Sequence, residues 1–262
     1  PEYRKYAPSL RDSLAERSVS AASAVGAMLD GRGEMKLTRR AAAKLFGTDI
    51  SLSPSKLEAY GTCPFSFFCK YGLKAQPVNT AEYDVRNKGT LIHYVLEHII
   101  SEYGAGIVEL DENARLAEIK CLIDEYVEQV FGNADEFDGS LSFLLERTAV
   151  QLNAVVARLC EEFMQSDFKP DRCELEIGGG EVAAVKIPLE GGSVVLKGKV
   201  DRVDIFEADG KTFVRVVDYK SGSKKFDVSD LFYGLNMQML IYLFTVVKSG
   251  LYENAESAGV LY

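Results

Sequence analysis

Between residues 89 and 103 apolar side chains recur at Ile92, Val95, Leu96, Ile99 and Ile100, the three-and-four spacing of one helix face. The same period over 111–131 and 139–167 predicts two more long helices. After Pro170 the period shortens. Residues 174–190, 193–207 and 212–220 alternate or run β-branched, separated by glycine-bearing turns at 178–180, 191–192 and Asp209-Gly210. These stretches predict an antiparallel meander, followed by a helix over about 229–248 and a final strand.

The first 46 residues show helical periodicity from about Ser9, with a Gly-Arg-Gly break near 31–33 that separates two helices. Ser53-Pro54 is a helix start: serine caps free N–H groups and proline fits the first turn. That helix should carry Leu57 and Tyr60 and stop near Gly61. The following run, Cys63-Pro64-Phe65-Ser66-Phe67-Phe68, is too aromatic for a solvent loop and is expected to pack on the core. Helices, a meander, a helix and a strand make an α/β fold with a mixed sheet flanked by helices. The expected layout is a helical lead-in over 1–50 and one domain over 51–262, with an acidic helical insertion at about 107–168.

Length and composition are compatible with one sizeable core: 262 residues, 47% hydrophobic and 26% charged. No apolar run is long enough to span a bilayer, so no membrane partner is expected. The chain opens on Pro1 and closes on a strand-like Ala258-Gly259-Val260-Leu261-Tyr262, so it is expected to be a piece of something longer, truncated at its C-terminal end. Five cysteines without a Cys-x-x-Cys pair read, for all but Cys63, as reduced thiols of a cytoplasmic protein.

The net charge of −9 disfavours a nucleic-acid partner until its distribution is considered. Residues 109–167 hold 14 acidic and 4 basic side chains, whereas 197–225 hold 8 basic and 5 acidic. The acidity belongs to one helical segment.

The basic segment also carries the chemistry. It contains Gly198-Lys199-Val200-Asp201-Arg202-Val203-Asp204 and, across the Asp209-Gly210 turn, Val216-Val217-Asp218-Tyr219-Lys220-Ser221-Gly222. Alternation puts Asp218 and Lys220 on one face with Tyr219 on the other, and a hairpin brings Asp201 beside Asp218. Two carboxylates and a lysine converging on one point suit phosphodiester hydrolysis. Carboxylates hold a hard cation such as Mg²⁺, and the lysine orients water or stabilises phosphoryl charge. The competing reading is an exposed Asp–Lys ion pair worth about 0–1 kcal/mol. An Asp-x-Lys at the end of an apolar strand, behind a paired Gly-x-Val-Asp strand, favours the site.

This pattern resembles the PD-(D/E)xK nuclease superfamily with its restriction-endonuclease-like core, and within it the RecB-like branch. Gly89-Thr90-Leu91-Ile92-His93 resembles the branch's helix motif, in which the histidine is a metal ligand. Pro170 with Glu174 resembles the acidic motif ahead of the sheet, Glu176 competing for that role, and Gln238-Met239-Leu240-Ile241-Tyr242 resembles the helix after the catalytic lysine. Leu52 to Tyr60, Cys63-Pro64-Phe65 and Tyr71-Gly72-Leu73 are similar to the start of the nuclease domains of AddB/RexB-type helicase–nuclease proteins.

The resemblance implies a Mg²⁺-dependent DNA exonuclease, Mn²⁺ substituting, that processes the 5′-ended strand of double-strand breaks beside an AddA-like subunit in a bacterial cytoplasm. It assigns His93, Asp201, Asp218 and the Tyr219 carbonyl to metal. Lys220 acts on water or phosphate, Gln238 and Tyr242 support it, and Glu174 supplies the acidic position. Arg202, Lys224 and Lys225 are expected phosphate contacts, and His98 is expected on another face.

The branch's Cys-Pro-Phe cysteine is one of four ligands to a 4Fe–4S cluster in the full-length parent. Nothing here matches the other three, so Cys63 is expected to be an orphan ligand without a cluster. A free-standing CRISPR-associated type of RecB-like nuclease, or an inactive binding module of the same fold, are the alternative readings.

Overall fold

The computed structural model describes residues 36–75, 85–132, 139–220, 228–232 and 234–262. Two compact units emerge, Pro1–Gly47 and Thr48–Tyr262. In the first, helix α1 (Arg39–Phe46) starts at Thr38, whose hydroxyl accepts the Ala41 N–H. The helix break at 31–33 lies outside the described residues.

The second unit opens with strand β1 (Asp49–Leu52) and helix α2 (Pro54–Thr62). The Ser53 hydroxyl accepts the Lys56 N–H at 3.3 Å and Pro54 occupies the first turn, so the Ser-Pro pair acts as its chemistry predicts. A short helix α3 (Pro64–Phe67) and a wider π turn at Phe68–Gly72 follow. The aromatic run packs only in part: Phe67 is buried between the Tyr60 and Tyr71 rings, whereas Phe65 is exposed. A single helical turn turns successive rings to different sides, so they do not all face inward.

Helix α4 (Val85–Tyr103) packs with α5 (Glu112–Phe131) and α6 (Gly139–Gln165) into an all-helical core. Val95, Leu96, Ile99 and Ile100 are buried there, as the stripe requires. Glu112, Asp124, Glu125, Glu128, Glu146 and Glu161 are exposed, so much of the segment's negative charge lies on a solvated face.

Eight further elements complete the unit: β2 (Lys169–Ile177), β3 (Val185–Leu189), β4 (Gly192–Leu196), β5 (Gly198–Ala208), β6 (Lys211–Val217), and then α7 (Val228–Phe232) and α8 (Gln238–Lys248). Strand β7 (Ala255–Leu261) comes last. The expected single meander is corrected. The strands form two sheets, one ordered β2-β5-β6-β7 with β7 parallel to β6, the other β1-β4-β3 with β1 parallel to β4. Glycine divides the predicted stretches. Gly178 ends β2 in the left-handed region (φ 88°), and Gly198 opens β5 where a Cβ would lie 2.6 Å from the Tyr242 ring. The β3–β4 hairpin is thereby freed from β2 and β5 and pairs with β1.

The acidic motif lies inside β2 and not ahead of the sheet, since that strand begins at Lys169. The predicted helix over 229–248 is also interrupted: Gly234 (φ 74°) and Asn236 (φ 55°) end one turn and set up α8 at Gln238. Val203, Val214 and Val216 pack with Met239, Leu243 and Val246 of α8 in a second core.

Candidate metal centre

Strands β5 and β6 pair with Arg202 opposite Val217, so the next step outward sets Asp201 beside Asp218 just past the end of β6. In β2, Cys173 pairs with Arg202 and Leu175 with Val200, which puts Glu174 opposite Asp201 on the other side. Asp201 thus stands between two carboxylates. Glu174 takes a left-handed backbone conformation (φ 50°), a strain of about 1–2 kcal/mol for a residue with a Cβ.

Helix α4 delivers His93 to this cluster. Its Nδ1 lies 3.5 Å from Asp201 Oδ2 and 3.8 Å from Glu174 Oε1, and its Nε2 lies 3.1 Å from the Tyr219 carbonyl oxygen. The Tyr219 N–H donates to Asp201 Oδ2 at 2.7 Å. Lys220 Nζ contacts Asp218 Oδ2 at 2.6 Å, and the Gln238 amide donates to Asp218 Oδ1 at 3.2 Å. Tyr242, one turn beyond Gln238, is buried with its ring against Gly198 at the start of β5. His98 is turned away: its Nδ1 lies 2.7 Å from the Tyr94 carbonyl oxygen, and its ring packs on Tyr94.

The electrostatics follow from this crowding. Hydrogen bonding to Asp201 and then to Glu174 pushes the His93 pKa up to about 10, against the opposing effect of burial. Burial raises the Glu174 carboxyl, but bonds from His93 and Lys199 outweigh it and hold that group below the ordinary range. Asp218 goes the other way. Burial raises it, and the neighbouring Asp201 charge adds to that against the pull of Lys220.

Donor atoms of His93, Glu174 and Asp201 all lie within 4.8 Å of one another. One imidazole nitrogen with two carboxylates, and a third carboxylate beside them, is a donor set that fits a hard divalent cation.

Most of the sequence-derived residues therefore converge: His93, Glu174, Asp201, Asp218, Lys220, Gln238 and Tyr242. Glu176 is exposed and pairs with Lys199 in register across β2 and β5. The Tyr219 carbonyl faces His93. Arg202 is a correction. It is fully buried, bound to Asp204 and Glu162, and cannot reach a phosphate, because alternation turns it to the face opposite Asp201. Lys224 and Lys225 lie outside the described residues.

Sequence reasoning passed over Lys199, whose Nζ lies 2.6 Å from Glu174 Oε2. Its position two residues before Asp201 on the same strand was the available signal. Cys63 is exposed, its Sγ 3.4 Å from the Ser66 N–H, and the described residues contain no group of cysteines able to hold a cluster alone.

Residues 51–262 match the family profile of the PD-(D/E)XK nuclease superfamily. The chain is 32% identical over 226 residues to the B subunit of the ATP-dependent helicase/deoxyribonuclease from Caldanaerobacter subterraneus subsp. tengcongensis, covering 84% of this chain and 20% of that protein. The protein of the same name from Clostridium tetani is 31% identical over 233 residues, covering 86% and 20%. That of Clostridium perfringens is 33% identical over 243 residues, covering 87% and 21%. The chain spans about a fifth of the length of these curated relatives.

Proposed function

The chain belongs to the PD-(D/E)XK nuclease superfamily, and on that premise we propose that it is a metal-dependent deoxyribonuclease domain. The observation that carries the reading is the convergence of His93, Glu174 and Asp201 donor atoms beside the Asp218–Lys220 pair. His93, Glu174, Asp201 and Asp218 would hold Mg²⁺, or Mn²⁺ in its place. Such a cation lowers the pKa of a bound water and neutralises phosphate charge.

The protein's own groups do the rest. Lys220, about one-third exposed, reaches outward from a nearly fully buried Asp218. It is placed to orient the attacking water and to meet charge growing on the phosphoryl oxygens. Gln238 fixes the second Asp218 oxygen, and Tyr242 packs against the start of the strand carrying Asp201. Lys199 offers a second cation at the rim, half exposed on Glu174.

The names of the relatives support a place in a larger machine. We assign the domain to a helicase–nuclease with an AddA-like partner. It would act as an exonuclease on the 5′-ended strand during double-strand-break repair in a bacterial cytoplasm. In that longer protein Cys63 would be one of four thiolates on a 4Fe–4S cluster. No step of the cleavage depends on it.

Cleavage of labelled linear single-stranded DNA tests the reading. Cutting should require Mg²⁺, stop with EDTA, and fall at least about 100-fold in Asp218→Asn and Lys220→Ala. Unchanged cutting in both variants would remove this site from the reaction.

A further inference from the structure

Tyr219 is the hinge of the centre, yet its side chain points away from it. The peptide groups of this residue make two of the contacts that hold the candidate ligands, the N–H on Asp201 Oδ2 at 2.7 Å and the carbonyl against His93 Nε2 at 3.1 Å. Regular strand β6 has ended at Val217, so residues 218–220 run beyond its ladder with β5. Asp218 N–H still reaches the Leu261 carbonyl at 3.1 Å.

The Tyr219 side chain lies on the opposite face, where its hydroxyl accepts a hydrogen bond from Arg202 Nη1 at 3.1 Å and its ring packs against the helical core. Arg202 is itself immobilised. Its Nε and Nη2 donate to the two oxygens of Asp204 at 2.7 and 3.0 Å, and Nη2 also reaches Glu162 of α6 at 3.3 Å. Arg215 closes the group by binding Asp204 Oδ2 at 2.7 Å and Glu162 Oε1 at 2.6 Å. Two guanidinium groups and two carboxylates thus balance their charges in the sheet–helix interface. The Phe163 ring lies under Arg202, its centroid 5.2 Å from the guanidinium carbon. A guanidinium with fixed donors in a plane suits this role where a flexible ammonium would not.

We propose that Arg202 and the Tyr219 phenol are positioning residues that set cation affinity from behind the sheet, by fixing the peptide groups that hold Asp201 and His93. This rests on the metal-centre reading above and adds two side chains that touch neither cation nor DNA. Groups that orient metal ligands typically change metal affinity about 10–100-fold when removed.

Tyr219→Phe is the informative change, since it deletes one oxygen and leaves the ring in the core. Tyr252→Phe serves as the control, deleting another partly buried phenol, one bonded to Asp171 at 2.6 Å. Mn²⁺ affinity would be measured by electron paramagnetic resonance, with thermal unfolding and Tyr219 amide hydrogen exchange recorded on the metal-free proteins. The expected result for Tyr219→Phe is Mn²⁺ bound about 10-fold or more weakly, with faster exchange of the Tyr219 amide. Tyr252→Phe should lower the unfolding temperature while keeping wild-type Mn²⁺ affinity. Wild-type affinity and exchange in Tyr219→Phe would overturn the proposal. A wild-type protein that binds no Mn²⁺ would instead overturn the metal-centre reading, and this proposal with it.

Discussion

His93 carries a proton in the metal-free protein because two carboxylates face its Nδ1. A ligand nitrogen must give that proton up, so metal binding competes with it. With the ring held near a pKa of about 10, Mn²⁺ affinity should rise about tenfold per pH unit between pH 7 and 9, with one proton released by His93. Calorimetry in buffers of different ionisation enthalpy would count it, and His93→Gln should remove this pH dependence. The folded-state pKa is raised above the free value, so the linked stability of the metal-free protein is fully present below pH 6.5. It is lost as pH climbs through about 10. His93 and Asp201 were legible in the sequence because their neighbours form recognisable strings. Arg202 was misread for the same reason: it adjoins Asp201 in the string, while the pleat sends it to the other face.

Among the elements, β5 carries a close steric constraint at its first residue. A methyl group at Gly198 would sit 2.6 Å from the Tyr242 ring, and that ring is buried in the second core. Gly198→Ala should therefore destabilise the fold by about 1–3 kcal/mol, read as a lower midpoint in urea. Ser53→Ala should cost about 1 kcal/mol by removing the cap on α2. The helices were legible because an apolar stripe on α4 depends only on local spacing. The sheets were not. Whether β4 joins β5 or β1 is decided by partners 144 residues apart in the chain, such as Asp49 and Ser193. Alternation gives the same pattern for either pairing.

Across the whole molecule the net charge of −9 coexists with a basic site segment because much of the acidity lies on an exposed helical face. Nucleic-acid affinity should accordingly depend on a few local cations. Lys224→Ala with Lys225→Ala should flatten the dependence of log K on log salt for single-stranded DNA by about 1.4, or roughly 0.7 for each phosphate left without its lysine. Among the described residues no helix is long and apolar enough to cross a membrane. The chain spans about a fifth of the length of its curated relatives, so its metal centre is best tested without any need for a motor partner. His93, Glu174, Asp201 and Asp218 are proposed to share one cation, and Mn²⁺ titration of the wild-type chain against Asp201→Asn tests this. Binding should be saturable and should weaken at least about tenfold in the variant. Equal affinity in the two proteins would contradict it.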